Sequence, residues 1–219
     1  MRSYLNFLLI GMLVFVGCTI PSGYTKLESN PKFYKKYDEF NGITWYKHGY
    51  FFTISANATK PFQMYVGESK NDALNVARNN LEESLKNITD QAQREEIEKI
   101  LQKSPSGGKY LRLNLVYSAS DWIFFDNATL INQSGEKMVW SMKSYEKSKD
   151  VISGGTVYES YDVLIDKSDA KRLYDLLSVT GVAKLRLTGK YYKDYVIGTE
   201  YKTVLKNVIK FAYDFWYSF

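Results

Sequence analysis

The stretch KYLRLNLVYSA, residues 109–119, constrains the fold more than any other part of the chain. Its alternation puts Leu111, Leu113, Leu115 and Tyr117 on one face of an extended strand and Arg112 and Asn114 on the other. A strand with one apolar face needs hydrogen-bonding neighbours and a cover for that face. The sequence offers both. ITWYKH (43–48), YFFTISANA (50–58) and PFQMYVG (61–67) precede it, and DWIFFDNATLI (121–131), KMVWSM (137–142), VYESYDVLI (157–165) and VAKLRLTG (182–189) follow. These runs are rich in β-branched and aromatic residues, and turn pairs such as Asn41-Gly42 and Ser134-Gly135 separate them. DWIFFDNATLI is apolar on both faces at its start, which predicts an inner strand beginning at Asp121 and Trp122, and Gly154-Gly155 predicts a soft loop before VYESYDVLI.

The period changes between residues 69 and 104. Ser69 and Asp72 have capping-box spacing, Leu74, Ala77, Leu81, Leu85 and Ile88 share a helical face, and residues 87–90 break the run before Ile97, Ile100 and Leu101. A further helix is capped by Asp166 or Ser168, buries Leu173, Leu176 and Leu177, and stops at Gly181. From Thr199 a last helix carries Tyr201, Val204, Leu205, Val208, Ile209, Ala212, Phe215, Trp216 and Phe219 on its apolar face, with Lys202, Lys206 and Lys210 opposite. Hairpin-spaced strands with helices in one insertion and at the end predict an α+β fold. It is expected to comprise an antiparallel β-sheet, a helical insertion at about 69–104, and a C-terminal helix packed on the sheet. The expected single domain spans 41–219. Residues 18–40, polar and broken by Pro21 and Pro31, read as a tether, with a short helix in KFYKKYDEF (32–40).

The opening residues bear on location. Arg2 is followed by the apolar run YLNFLLIGMLVFV (4–16), then Gly17 and Cys18, the only cysteine in the chain. Even extended to Ile20 the run stops at Pro21, short of the about 20 apolar residues that a spanning helix needs. Phe15-Val16-Gly17-Cys18 resembles the lipobox of bacterial lipoproteins, in which the cysteine receives diacylglycerol and becomes the first residue after cleavage. That family usually has leucine where Phe15 stands. The resemblance implies that residues 1–17 are a signal peptide and that Cys18 is the lipid attachment site. The protein would then be extracytoplasmic and held on a lipid bilayer by acyl chains. Thr19 after the cysteine implies the outer membrane where a cell has one. The alternative readings of this stretch are an uncleaved anchor helix and a buried apolar cysteine.

Composition narrows the chemistry. No cysteine follows Cys18, so no intramolecular disulfide, thiol nucleophile or cysteine metal site is expected in the globular part. His48 is the only histidine, and any multi-imidazole metal site or Ser-His-Asp arrangement would have to run through it. No cofactor and no metal are expected. The formal charge is +5, and loss of Arg2 leaves +4, a mild lysine excess dispersed among acids that reads as solubility, with weak attraction to anionic lipid or wall polymer as the functional alternative. Without a clustered basic motif, nucleic acid is not an expected partner.

Two segments could carry a contact face. GKYYKDY (189–195) sets Tyr191, Tyr192 and Tyr195 among Lys190, Lys193 and Asp194 at a hairpin or strand end. On a strand, Tyr191, Lys193 and Tyr195 share one side, and Tyr192 and Asp194 the other. Such tyrosines stack on a glycan or partner protein, or else pack as core on a twisted edge. Trp122 is the second candidate, with core packing as its alternative. Glu159 and Asp162 suggest the carboxylate pair of a polysaccharide hydrolase, but three positions apart on a strand they face opposite ways. Glu159 shares the face of Val157, Tyr161, Val163 and Ile165, where burial would call for a cation such as Arg186 or Arg112. From Leu111 onward, SASDWIFF, SGEK, ESYD and KLRLTGKYYKDY resemble small exported bacterial proteins known only as uncharacterised. The expectation is an envelope lipoprotein acting as a non-catalytic binding or structural module for an envelope protein or glycan, with the hydrolase as the alternative.

Overall fold

In the computed structural model the described residues are 20–52, 60–69, 80–91, 93, 94, 97, 109–142 and 147–216, with 153 and 213–216 described by backbone alone. The alternating segments form strands β3 (Ile43–His48), β4 (Phe62–Ser69), β5 (Lys109–Ala119), β7 (Lys137–Ser141), β9 (Thr156–Ile165) and β10 (Ala183–Thr188). Five more are found among the described residues: β1 (Thr25–Lys26), β2 (Phe33–Asp38), β6 (Asn127–Ile131), β8 (Lys147–Ile152) and β11 (Tyr192–Ile197). Among the described residues these make two sheets, ordered β1-β2-β3-β4-β5-β9-β8 and β11-β10-β6-β7. Every pairing is antiparallel.

The larger sheet has an inner face made by Phe62, Met64 and Val66 on β4 opposite Leu115, Leu113 and Leu111 on β5, all fully buried. Helix α2 (Thr199–Trp216) packs on β3, β4 and β5, where Phe211 stacks on Phe33 at 4.2 Å and Tyr201 approaches Tyr50 and Phe51. Phe62 meets Trp140 of the smaller sheet at 5.6 Å, so helix and second sheet share the same core. Tyr201, Val204, Leu205, Val208, Ile209 and Ala212 are buried as their spacing requires, while the side chains of Phe215, Trp216 and Phe219 lie outside the described residues. Helix α1 (Lys167–Ser178) is capped by Asp166, whose Oδ1 accepts from Asp169 N–H at 2.8 Å, and it buries Leu173, Leu176 and Leu177. Among the described residues no helix is long and apolar enough to cross a membrane.

Several expectations need correction. KFYKKYDEF is not helical. Its residues 33–38 form β2, because Phe33 is buried under α2 and the strand pairs with β3 along its length. The sheet therefore begins inside the expected tether, at Thr25. The start of YFFTISANA is a 3₁₀ turn, Gly49–Phe52, and residues 53–59 lie outside the described residues. Lys202 does not face solvent: it is 5 % exposed, and its ammonium donates to the carbonyls of Val179 and Gly181, the latter at 2.9 Å, just past the end of α1. That contact joins the two helices and leaves Lys210 exposed. Of the expected insertion, residues 80–85 are helical, as are 91, 93, 94 and 97. Residues 1–19, including Cys18, lie outside the described residues.

Candidate functional site

β9 places Glu159 on the inner face, opposite Tyr117 on β5 and Lys149 on β8, and the residue is 2 % exposed. Among the described residues no arginine pairs with it. Its Oε1 accepts from Ile123 N–H and Phe124 N–H, each at 2.9 Å, and its Oε2 accepts from Phe125 N–H at 3.0 Å. Consecutive amides converging on one carboxylate form an anion nest, which stabilises a buried charge as a cation would. The geometry also explains why residues 121–126 are not a strand. Successive N–H groups of a strand point in opposite directions, whereas these three point the same way. The expected inner strand starts only at Asn127.

The two arginines expected to serve Glu159 are engaged elsewhere. Arg112 lies on the outer face, where its Nε is 2.7 Å from Asp162 Oδ1 and Tyr65 Oη donates to the other carboxylate oxygen. Arg186 makes a two-pronged pair with Asp194 across β10 and β11, at 2.6 Å for each bond, which holds the Asp194 carboxyl below the usual range. Glu159 and Asp162 thus face opposite sides of the sheet and flank no common bond.

The nest pins the loop so that Ile123 and Phe125 point into the core, 5 % and 1 % exposed, and Phe124 points out, 40 % exposed. Phe124 has φ 53°, a left-handed backbone that is rare for a bulky residue. Its ring stacks beside Trp122 at 5.8 Å with 20° between planes, and Lys149 Nζ stands 4.9 Å from its centroid. The β10–β11 turn lies against the same loop. Tyr191 N–H donates to Ile123 O at 3.3 Å, Asp126 N–H donates to Thr188 O at 2.9 Å, and Gly189 crosses so close to the Phe124 carbonyl that a Cβ there would overlap it.

The structure therefore brings the two candidate segments into one place. Trp122, Phe124 and Tyr191 come from adjoining turns at one end of the sheets, with Lys149 and Lys190 beside the rings. Tyr191 is 57 % exposed and precedes β11 rather than joining it. Tyr192, 63 % exposed, lies on the outward face with its ring 4.6 Å from the Arg186 guanidinium, beside Asp194. Tyr195 turns inward against the core, and burial raises its phenol pKa. Sequence reasoning missed Phe124, and it singled out Glu159 as a buried acid but expected an arginine partner where the amides of residues 123–125 stand.

A groove of about 960 Å³ beside α1 is lined by charged side chains, among them Lys137, Lys167, Lys171 and Arg172. Within it Lys171 pairs with Asp175, and Arg172 donates to the Lys137 carbonyl. Compared with known proteins, the chain matches no family model, no curated protein and no solved structure.

Proposed function

We propose that this protein is a lipid-anchored component of the bacterial envelope, acylated at Cys18 after removal of residues 1–17, and that its folded part is a non-catalytic binding module. The contact face is the platform of Trp122, Phe124 and Tyr191, continued by Tyr192 and Asp194. Phe124 carries this reading. A large apolar ring held partly in solvent on a left-handed backbone has a local cost, and a buried carboxylate with three amide bonds maintains it. Aromatic faces flanked by Lys149 and Lys190 suit an envelope glycan bearing acidic groups, or an acidic protein surface. Residues 70–104 complete the proposed domain as a helical insertion between β4, which takes up Ser69, and β5.

The test has two arms. Metabolic labelling with a clickable fatty acid is expected to mark the wild type and not Cys18→Ala; equal labelling overturns the anchor. Recovery of envelope polysaccharide or protein on the purified protein is expected to fall in Phe124→Ser and Tyr191→Ala variants that melt like the wild type. Unchanged recovery in both overturns the platform.

A further inference from the structure

The reach of the amino-terminal chain and the charge of the first two strands together give the domain an orientation. Pro21 to Tyr24 closes a turn in which Tyr24 N–H donates to Pro21 O at 3.2 Å, and the Tyr24 ring packs edge-on against Phe52 at 4.9 Å. Tyr24 leads directly into β1, which pairs Thr25 with Lys35 and Lys26 with Tyr34. Thr19 and Ile20 alone separate Cys18 from Pro21 in the sequence, a covalent span of at most about 10 Å. A lipid on Cys18 would therefore hold the β1 edge at the headgroups, without a long tether to carry it away.

We propose that the β1 edge of the seven-stranded sheet lies on an anionic bilayer surface and that the Trp122–Phe124–Tyr191 platform is presented from the opposite edge, away from the membrane. This rests on acylation of Cys18. From Tyr24 to Lys36 the chain carries Lys26, Lys32, Lys35 and Lys36 against one acid, Glu28, and all five are exposed. Lysines in that position complement anionic lipid headgroups. At the far end of β2, Tyr37 is 56 % exposed and Phe40 100 % exposed. Phe40 sits on a hydrogen-bonded turn: Asp38 Oδ1 accepts from Phe40 N–H at 3.1 Å and Asn41 N–H at 3.3 Å, and Oδ2 accepts from Asn41 Nδ2 at 2.8 Å. A fully exposed ring on such a turn has apolar area to place, and the headgroup level is where aromatic residues gather. Glu39 beside it keeps the turn at that level rather than in the hydrocarbon. β8, which bears Lys149 of the platform, is the opposite edge strand, and six strand spacings put it about 29 Å from β1.

The chain's single cysteine would be consumed by the lipid, so Tyr37→Cys or Val151→Cys would introduce the only free thiol; Val151 lies on β8 and is 59 % exposed. Each acylated variant is labelled with an environment-sensitive fluorophore and placed in phosphatidylcholine–phosphatidylglycerol vesicles containing a headgroup quencher. The probe at position 37 is expected to be quenched several-fold more than that at 151, and Lys26→Glu with Lys35→Glu to weaken the difference. Equal quenching, or stronger quenching at 151, in protein whose acylation is verified by mass spectrometry overturns the orientation and leaves the anchor standing. Shielding at 37 that is the same in detergent as in vesicles, with a dimeric mass, assigns the edge to a second copy and also overturns it. Cys18 found without an acyl chain removes the anchor and the orientation together.

Discussion

The buried carboxylate of Glu159 accepts a hydrogen bond from the backbone of Phe124 at 2.9 Å, and that bond is the middle one of three that hold a phenylalanine in left-handed conformation. Magnitudes decide why the arrangement persists. A non-glycine residue in that region costs about 1–2 kcal/mol, whereas hydrogen bonds to a charged group contribute about 1.5–3 kcal/mol each. The three bonds outweigh the strain, and the strain is located where the ring meets solvent.

Glu159→Gln is expected to destabilise the domain strongly. It keeps the size and one acceptor oxygen, but it sets an NH₂ group against an amide that now donates to Glu159. Loss of a buried charged partner of this kind costs about 3–5 kcal/mol. Urea unfolding should show the loss, and amide exchange should quicken at residues 123–125 before it quickens in β5. Wild-type stability in the variant would mean that the nest does not support the loop.

Phe124→Gly isolates the strain. Glycine takes φ 53° freely, so removing the ring relieves about 1–2 kcal/mol of backbone cost while giving up only the contacts of a partly exposed side chain. The expected outcome is stability equal to or above that of Phe124→Ala, with loss of envelope-material recovery in both. A glycine variant clearly less stable than the alanine variant would show that the left-handed conformation carries no local cost.

His48 gives a pH dependence with a definite sign. It is 8 % exposed, its Nδ1 accepts from Tyr50 N–H at 3.1 Å, its Nε2 has no hydrogen-bond partner among the described residues, and burial, with Lys32 adding, lowers its pKa to about 4. The unfolded chain binds a proton near pH 6.5. As pH falls from about 6.5 to about 4 the unfolded state gains a proton that the folded state refuses, so stability drops, by up to about 3 kcal/mol. Unfolding free energies across this range should fall more steeply in the wild type than in His48→Phe. Parallel curves would show that His48 does not resist protonation in the fold.

Where local pattern governs, the sequence was legible. The alternation at 109–119 predicts the buried side of β5, and Asp166 with Leu173, Leu176 and Leu177 predicts α1. Misreadings arise where a distant residue decides. KSKDVI pairs as edge strand β8 although it is exposed and lacks alternation, because β9 supplies a free edge. KFYKKYDEF has helix-like charge spacing, and a single buried ring, Phe33, with the β3 edge turns it into a strand. The site is the extreme case: Glu159 meets the amide of Ile123 from 36 positions away, a distance no window of local periodicity spans. Trp122, Tyr191 and Tyr192 were legible as aromatic candidates, but their proximity depends on that long-range contact.

The same dependence on a distant residue holds the helix to the sheet. The β3–β4 ladder ends with Lys47 opposite Tyr65, because the chain leaves β3 through the 3₁₀ turn at Gly49–Phe52. Phe62, further back on β4, is left without a β3 partner for its backbone. Tyr201 of α2 fills that place: its buried hydroxyl donates to Phe62 O at 2.6 Å and accepts from Phe62 N–H at 3.0 Å. Tyr201→Phe keeps the ring contacts with Tyr50 and Phe51 and removes only the oxygen. Leaving a buried amide and a buried carbonyl unsatisfied costs about 1–3 kcal/mol for each group. A loss of about 2–4 kcal/mol is therefore expected, and a fall in melting temperature of roughly 5–15 °C for a domain of this size. Tyr192→Phe, at an exposed hydroxyl, should leave the melting temperature where it is. If Tyr201→Phe melts with the wild type as well, the apolar face of α2 alone docks the helix, and the hydroxyl does not complete β4.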